Sequence, residues 1–105
     1  MKTLTVSGID IKIGSNVFEN DELFDSVEDN DIWFHVDGMP SAHMWVPACV
    51  LTKQQLYMIA LELKKSSKYK KMNNISIIYA TKENIKKGDT LGTIIITGKS
   101  RKINV

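Results

Sequence analysis

The segment from Asp31 to Val46 constrains this chain more than any other. It reads Asp31-Ile32-Trp33-Phe34-His35-Val36, then Asp37-Gly38-Met39-Pro40-Ser41, then Ala42-His43-Met44-Trp45-Val46. Two short runs rich in β-branched and aromatic residues flank a turn-rich connection, which is the pattern of two strands and their turn. A hairpin closing symmetrically over residues 37–41 pairs Val36 with Ala42, His35 with His43, Phe34 with Met44 and Trp33 with Trp45. Side chains alternate across a strand, so one face carries Ile32, Phe34, Val36, Ala42, Met44 and Val46. That face is apolar throughout and suits a helix-covered core. The other carries Trp33, His35, His43 and Trp45, and a one-residue slip in register would exchange the two.

The remaining elements read around this hairpin. Leu4 and Val6, then Ile9, Ile11 and Ile13, alternate with polar residues on either side of Ser7-Gly8, which predicts a second hairpin. Phe18 to Phe24 reads as a loop or one short helical turn. Thr52 with Gln55 forms a capping box, and Leu56, Ile59, Ala60 and Leu63 follow at helical spacing, so the main helix is expected over about 52–67. Ile75 to Tyr79, Thr93 to Thr97 and Lys102 to Val105 are three further strand candidates. The expected class is α+β, a mostly antiparallel sheet of about six to seven strands packed on one main helix. No repeat, linker or internal boundary divides residues 1–105, so a single domain is expected.

Charge is divided along the chain. Residues 1–52 carry a net charge of about −7 and residues 53–105 about +9. The second half gathers Lys64, Lys65, Lys68, Lys70 and Lys71 around Tyr69, then Lys86-Lys87, then Lys99 and Arg101, the later groups expected in turns. Cations near a helix C-terminus complement its dipole, but this run holds more of them than a helix end requires. If the sheet brings these groups together, they form one phosphate-binding patch, salt-dependent and weakly sequence-specific. The second face of the hairpin adds an aromatic and imidazole platform of the kind that stacks unpaired bases. The alternative is structural: the aromatics pack under the N-terminal hairpin, and each histidine bonds a backbone or carboxylate partner such as Asp31 or Asp37.

Other chemistries find little support. Two histidines and a single cysteine, Cys49, show no metal-ligand spacing, so neither metal nor cofactor is expected. Ser41 beside His43 lacks a nucleophile elbow. Gly88-x-x-x-Gly92 lacks the Gly-Lys-Thr ending of a phosphate-binding loop. The carboxylates Glu19, Asp21, Glu22 and Asp25 read as a solvated acidic loop. The longest apolar runs, such as Ile94-Ile95-Ile96, fall far short of the ~18 residues of a membrane span. The N-terminus has no signal-peptide hydrophobic region, and one cysteine suits a reducing compartment, so a cytoplasmic or nuclear location is expected.

Several of these residues stand in a familiar order. Gly14-Ser15-Asn16-x-x-Glu19-Asn20-Asp21-Glu22-Leu23, Asp31-Ile32-Trp33-Phe34-His35-Val36-x-x-x-Pro40-Ser41-Ala42-His43, Lys71-Met72-Asn73-Asn74-Ile75-x-Ile77-x-Tyr79 and Asn84-Ile85-Lys86-Lys87 together resemble the NFACT-R domain. That is the RNA-binding module of ribosome quality-control factors of the NEMF and RqcH type. The resemblance runs from about residue 5 to 105. Pro40-Ser41-Ala42-His43 stands where family members usually have Pro-Gly-Ser-His, as in the short eukaryotic coiled-coil-tailed branch, although no such tail is present in this sequence. Asp89-Thr90-Leu91-Gly92 replaces a Pro-Gly pair. The resemblance makes Asn16, Asn20, Asp21 and Asp31 motif positions. It implies a stand-alone, non-catalytic module for RNA, either tRNA or ribosomal RNA of the large subunit, with DNA as a variant ligand of the same surface. It does not imply peptide tailing, which needs the complete factor. Two other classes compete with this reading. One is a docking module for a ribosome-associated protein, contacting through the acidic loop 19–25 or an apolar patch. The other is a small nuclease using His35 and His43 as acid and base.

Overall fold

The computed structural model describes residues 1–105. Eight strands and two helices follow in the order β1 (Lys2–Val6), β2 (Ile9–Gly14), α1 (Val17–Ser26), β3 (Ile32–Val36), β4 (His43–Val46), α2 (Lys53–Lys65), β5 (Ser76–Thr81), β6 (Ile85–Lys87), β7 (Ile94–Ile96) and β8 (Arg101–Asn104). Six of the strands form one sheet in the order β1-β2-β4-β3-β5-β8, and β6 pairs with β7 in a small second sheet. Every pairing is antiparallel. The α+β class is as expected.

The β1–β2 turn places Ser7 at φ 51° and Gly8 at φ 78°, the two left-handed residues that a type I′ hairpin turn requires. The central hairpin adopts the symmetric register, with Ile32 opposite Val46, Trp33 opposite Trp45 and Phe34 opposite Met44. Its apolar face meets α2. Phe34, Val36, Met44 and Val46 pack with Ile59, Ala60 and Leu63 of the helix and with Ile11, Ile13 and Ile77 of the flanking strands. Thr52 accepts from the Gln55 amide, and the Gln55 side chain accepts from the Thr52 amide, closing the capping box at the start of α2.

Three expectations change. Residues 17–26 form a ten-residue helix rather than a loop or single turn. Lys86 and Lys87 lie in strand β6 rather than in a turn, while Arg101, expected in or beside the last turn, opens strand β8. The tryptophan face is not covered by the N-terminal hairpin, because β2 pairs edge to edge with β4 as part of the same sheet. Its cover is α1 together with β6 and β7. Leu23, Trp33, Trp45, Ile78, Ala80 and Ile85 make a second core there, flanked by Phe24, Val27 and Ile94. The central strands β3, β4 and β5 are thus buried on both faces.

Candidate functional site

The sequence-predicted residues divide between two surfaces on opposite sides of the sheet. On the side of the second core, alternation along β3 and β4 places Trp33, His35, His43 and Trp45 together. Trp33 and Trp45 are only 3% and 2% exposed, so neither indole offers a face to a base. Trp45 meets Phe24 edge-on at 6.1 Å. Trp33 stacks on His35 at 5.4 Å and donates its indole N–H to His43 Nδ1 at 3.2 Å. Neither Asp31 nor Asp37 partners a histidine through a side-chain hydrogen bond. Asp31 instead accepts from the amides of Glu28 and Ala48, and Asp37 pairs with Lys102 at 2.8 Å.

The two imidazoles lie 4.8 Å apart, nearly perpendicular. Burial lowers the pKa of His35, partly offset by the Val36 backbone and the Asp37 charge. Burial first, and then the neighbouring His35, push His43 down to about 3. His43 is therefore neutral at physiological pH. Because its Nδ1 accepts from Trp33, its proton sits on Nε2, leaving that nitrogen a donor.

These rings line a cleft of about 590 Å³. Asn20, Trp33, His35, His43 and Ile78 contribute to it from α1 and the sheet, together with the β3–β4 turn, the loop Thr90 to Thr93 and the start and end of β7. Asn20 is 7% exposed, and its Oδ1 has no hydrogen-bond partner. Gly14 makes room for it, since a Cβ there would overlap Asn20 Oδ1. Gly92, at φ 79°, lets the second loop sit on α1, where a Cβ would come within 2.8 Å of Val17. No periodicity or composition in residues 90–93 marks them for this place, because only the contact between loop and helix creates it.

The other motif residues hold the frame. Asn16 caps α1 by accepting from the Glu19 amide at 2.9 Å. Asp21, with Asp25, pairs with Lys87, each at 2.9 Å.

The basic residues do not form one patch. Lys64, Lys65, Lys68, Lys70 and Lys71 end or follow α2 on one side of the sheet, whereas Lys86 and Lys87 ride on β6 on the other. They also differ in what already holds them. Lys87 is engaged by two aspartates, and Lys65 pairs with Glu62 at 3.6 Å. Lys64 donates to the Val105 carbonyl. Lys68 lies 5.5 Å from the Tyr69 ring centroid. Lys68, Lys70, Lys71, Lys86, Lys99 and Arg101 are exposed and have no acidic partner, which leaves their charge for a ligand.

Comparison with known proteins fits this architecture. The coiled-coil domain-containing protein 25 of Danio rerio is 33% identical over 84 residues, which is 73% of this chain and 41% of that protein. The Bos taurus protein of the same name is 32% identical over 88 residues, covering 77% of this chain and 42% of its own length. This chain thus spans about two fifths of the relatives it matches. Among solved structures, the C-terminal part of the fibronectin/fibrinogen-binding protein from Streptococcus suis superposes with a TM-score of 0.83 over 98% of this chain and 44% of that one. At 20% identity that likeness establishes the fold alone. The profile of the NFACT protein RNA binding domain matches residues 2–101. The chain belongs to the NFACT RNA-binding domain family.

Proposed function

We propose that this domain binds RNA without catalysing a reaction, and that it does so in ribosome-associated quality control, on tRNA or on ribosomal RNA of the large subunit. DNA is a variant ligand of the same surface, and the proposed setting is the cytoplasm or nucleus. One observation carries the reading beyond the family assignment. Lys68, Lys70 and Lys71 stand exposed directly after α2 with no carboxylate to neutralise them, next to Tyr69. Unpaired lysines at such close spacing attract phosphates as point charges and read little sequence. Lys86, Lys99 and Arg101 extend the free positive charge elsewhere on the molecule, and Lys87, tied to Asp21 and Asp25, contributes least.

The test is RNA binding by the triple charge reversal K68E/K70E/K71E, across salt from ~50 to ~200 mM. On a single strand the three lysines account for a salt slope of about two, which the variant loses together with ten-fold or more in affinity. Unchanged affinity and slope would remove these lysines from the interface. A second reading, docking on a ribosome-associated protein, is favoured by Phe18, which is 73% exposed beside the exposed Val17. Binding to a protein partner that persists at high salt and is lost in F18S would favour it.

A further inference from the structure

We infer that the cleft between the β3–β4 turn and the Thr90–Thr93 loop is a site for a single nucleobase, separate from the lysines that hold the phosphates. The ligand class rests on the RNA-binding reading; the place and chemistry rest on the cleft. Its volume of about 590 Å³ falls in the range of small-molecule sites. No lysine or arginine lines it, and its one carboxylate, Asp37, is already paired with Lys102. A phosphate would find no counter-charge there. A neutral, planar, polar group would.

Three polar features suit such a group. Asn20 is almost fully buried at the cleft; its Oδ1 is sealed into the space beside Gly14, which leaves its side-chain NH2, without a protein partner, as the donor that can meet a ligand. His43, with its Nδ1 taken by Trp33, keeps an Nε2–H free to donate to a ring nitrogen or carbonyl. His35 remains partly accessible, with its ring stacked on Trp33 and aligned to within 15°, so the imidazole and indole form a layered aromatic wall. Around them Ile78, Leu91 and Ile94 supply apolar surface. Two donors and an aromatic wall in a cation-free cleft match the acceptor edge and the face of a base. Trp33 thus serves this site from beneath: it positions both histidines and does not stack on the ligand, while Trp45 packs against Phe24 in the core.

The experiment uses the four ribonucleosides, which carry no phosphate, titrated into the whole chain and followed by imidazole and indole resonances. At least one nucleoside is expected to saturate and to shift the His35, His43 and Trp33 signals. Its affinity should be unchanged between ~50 and ~200 mM salt, unlike binding through phosphates. H35A should weaken it ten-fold or more. N20D, nearly isosteric and so able to keep the fold, should change which base is preferred. K68E/K70E/K71E should leave nucleoside binding as in the wild type. Failure of all four nucleosides to shift these resonances, or shifts confined to the lysines after α2, would overturn the inference even if RNA still bound. Nucleoside binding at the cleft by a chain that binds no RNA would instead overturn the RNA reading and leave the site standing.

Discussion

Gly14 and Asn20 are adjacent in space and make a single device. The glycine ends β2, and the asparagine side chain fills the space where its Cβ would stand. Gly14→Ala must displace Asn20 Oδ1 and also press on the Asn20 amide and Leu23, both 3.1 Å from the new carbon. Overpacking of this kind costs about 1–3 kcal/mol, and thermal melts should show a drop of ~4–8 °C per kcal/mol. Asn20→Ala frees the space, so the double variant should be more stable than the two single costs imply by 0.5 kcal/mol or more, to order of magnitude. Strict additivity in the double-mutant cycle would mean that the two residues do not share that space. His43 makes a second prediction at this scale. Its folded pKa of about 3 lies below the ordinary 6.5, so the unfolded chain takes up its proton first as pH falls. Its contribution is full above pH 6.5 and is lost progressively down to about pH 3. From pH 7.5 to pH 5 the loss from this group is about 2 kcal/mol, at ~1.4 kcal/mol per pH unit below the unfolded value. Carboxylates titrate over part of the same interval, so the measurement is the difference in the stability–pH slope between wild type and H43Q. The groups facing His43 are His35 and Trp33, with Asp37 acting on His35. Equal slopes, or a native His43 resonance titrating near 6.5, would contradict its buried, neutral state.

Among the elements, α1 separates what the sequence discloses from what it hides. Only Asn20 and Leu23 are buried in it, while Val17 and Phe18 face outward, so no apolar stripe announces a helix. Asn16 followed three residues later by Glu19 is a cap signature, but a cap without an apolar stripe behind it does not by itself predict ten helical residues. The Asn16 cap is expected to contribute about 1 kcal/mol, so Asn16→Ala should lower stability by that amount while Asn16→Asp should not. Equal loss in both variants in urea melts would show that the cap is not what holds this helix. The β3–β4 register was readable because a one-residue slip would turn Phe34, Val36, Met44 and Val46 away from one shared face, and closure over residues 37–41 selects among the pairings that remain. The burial of Trp33 and Trp45 was not. Their cover comes from α1, packed back onto the sheet, and from β6 and β7, some fifty residues further along, and neither packing leaves a trace in the strands themselves. Lysine spacing likewise could not disclose that Lys87 is held by two aspartates of α1 while Lys70 and Lys71 are free.

At the scale of the whole molecule, the six-stranded sheet joins two cores that would otherwise be independent. Adjacent residues of one strand serve opposite sides: Phe34 faces α2 while Trp33 faces α1, and Met44 and Trp45 do the same on the partner strand. A strand that loses one face loses the backbone pairing that holds the other, so the two cores should unfold together. The composition makes this measurable, because both tryptophans of the chain lie in the second core and α2 covers the first. Tryptophan emission therefore reports one side, and far-UV ellipticity reports both, through the 13 residues of α2 and the 10 of α1. In urea the two probes should share a midpoint. Ile59→Val thins the α2 core and Ile85→Val the tryptophan core, each by one methylene at a buried site. Each should cost about 0.5–1.5 kcal/mol. Because the cores are coupled through the strands, I59V should shift the tryptophan transition as far as it shifts the ellipticity, and I85V likewise. A tryptophan midpoint that stays fixed in I59V while ellipticity moves would mean that α2 can leave while the cleft and its histidines stand. The phosphate-binding lysines that end and follow α2 could then be lost without the base site. A common shift would instead mean that one folding equilibrium governs both surfaces, so that neither is presented without the other.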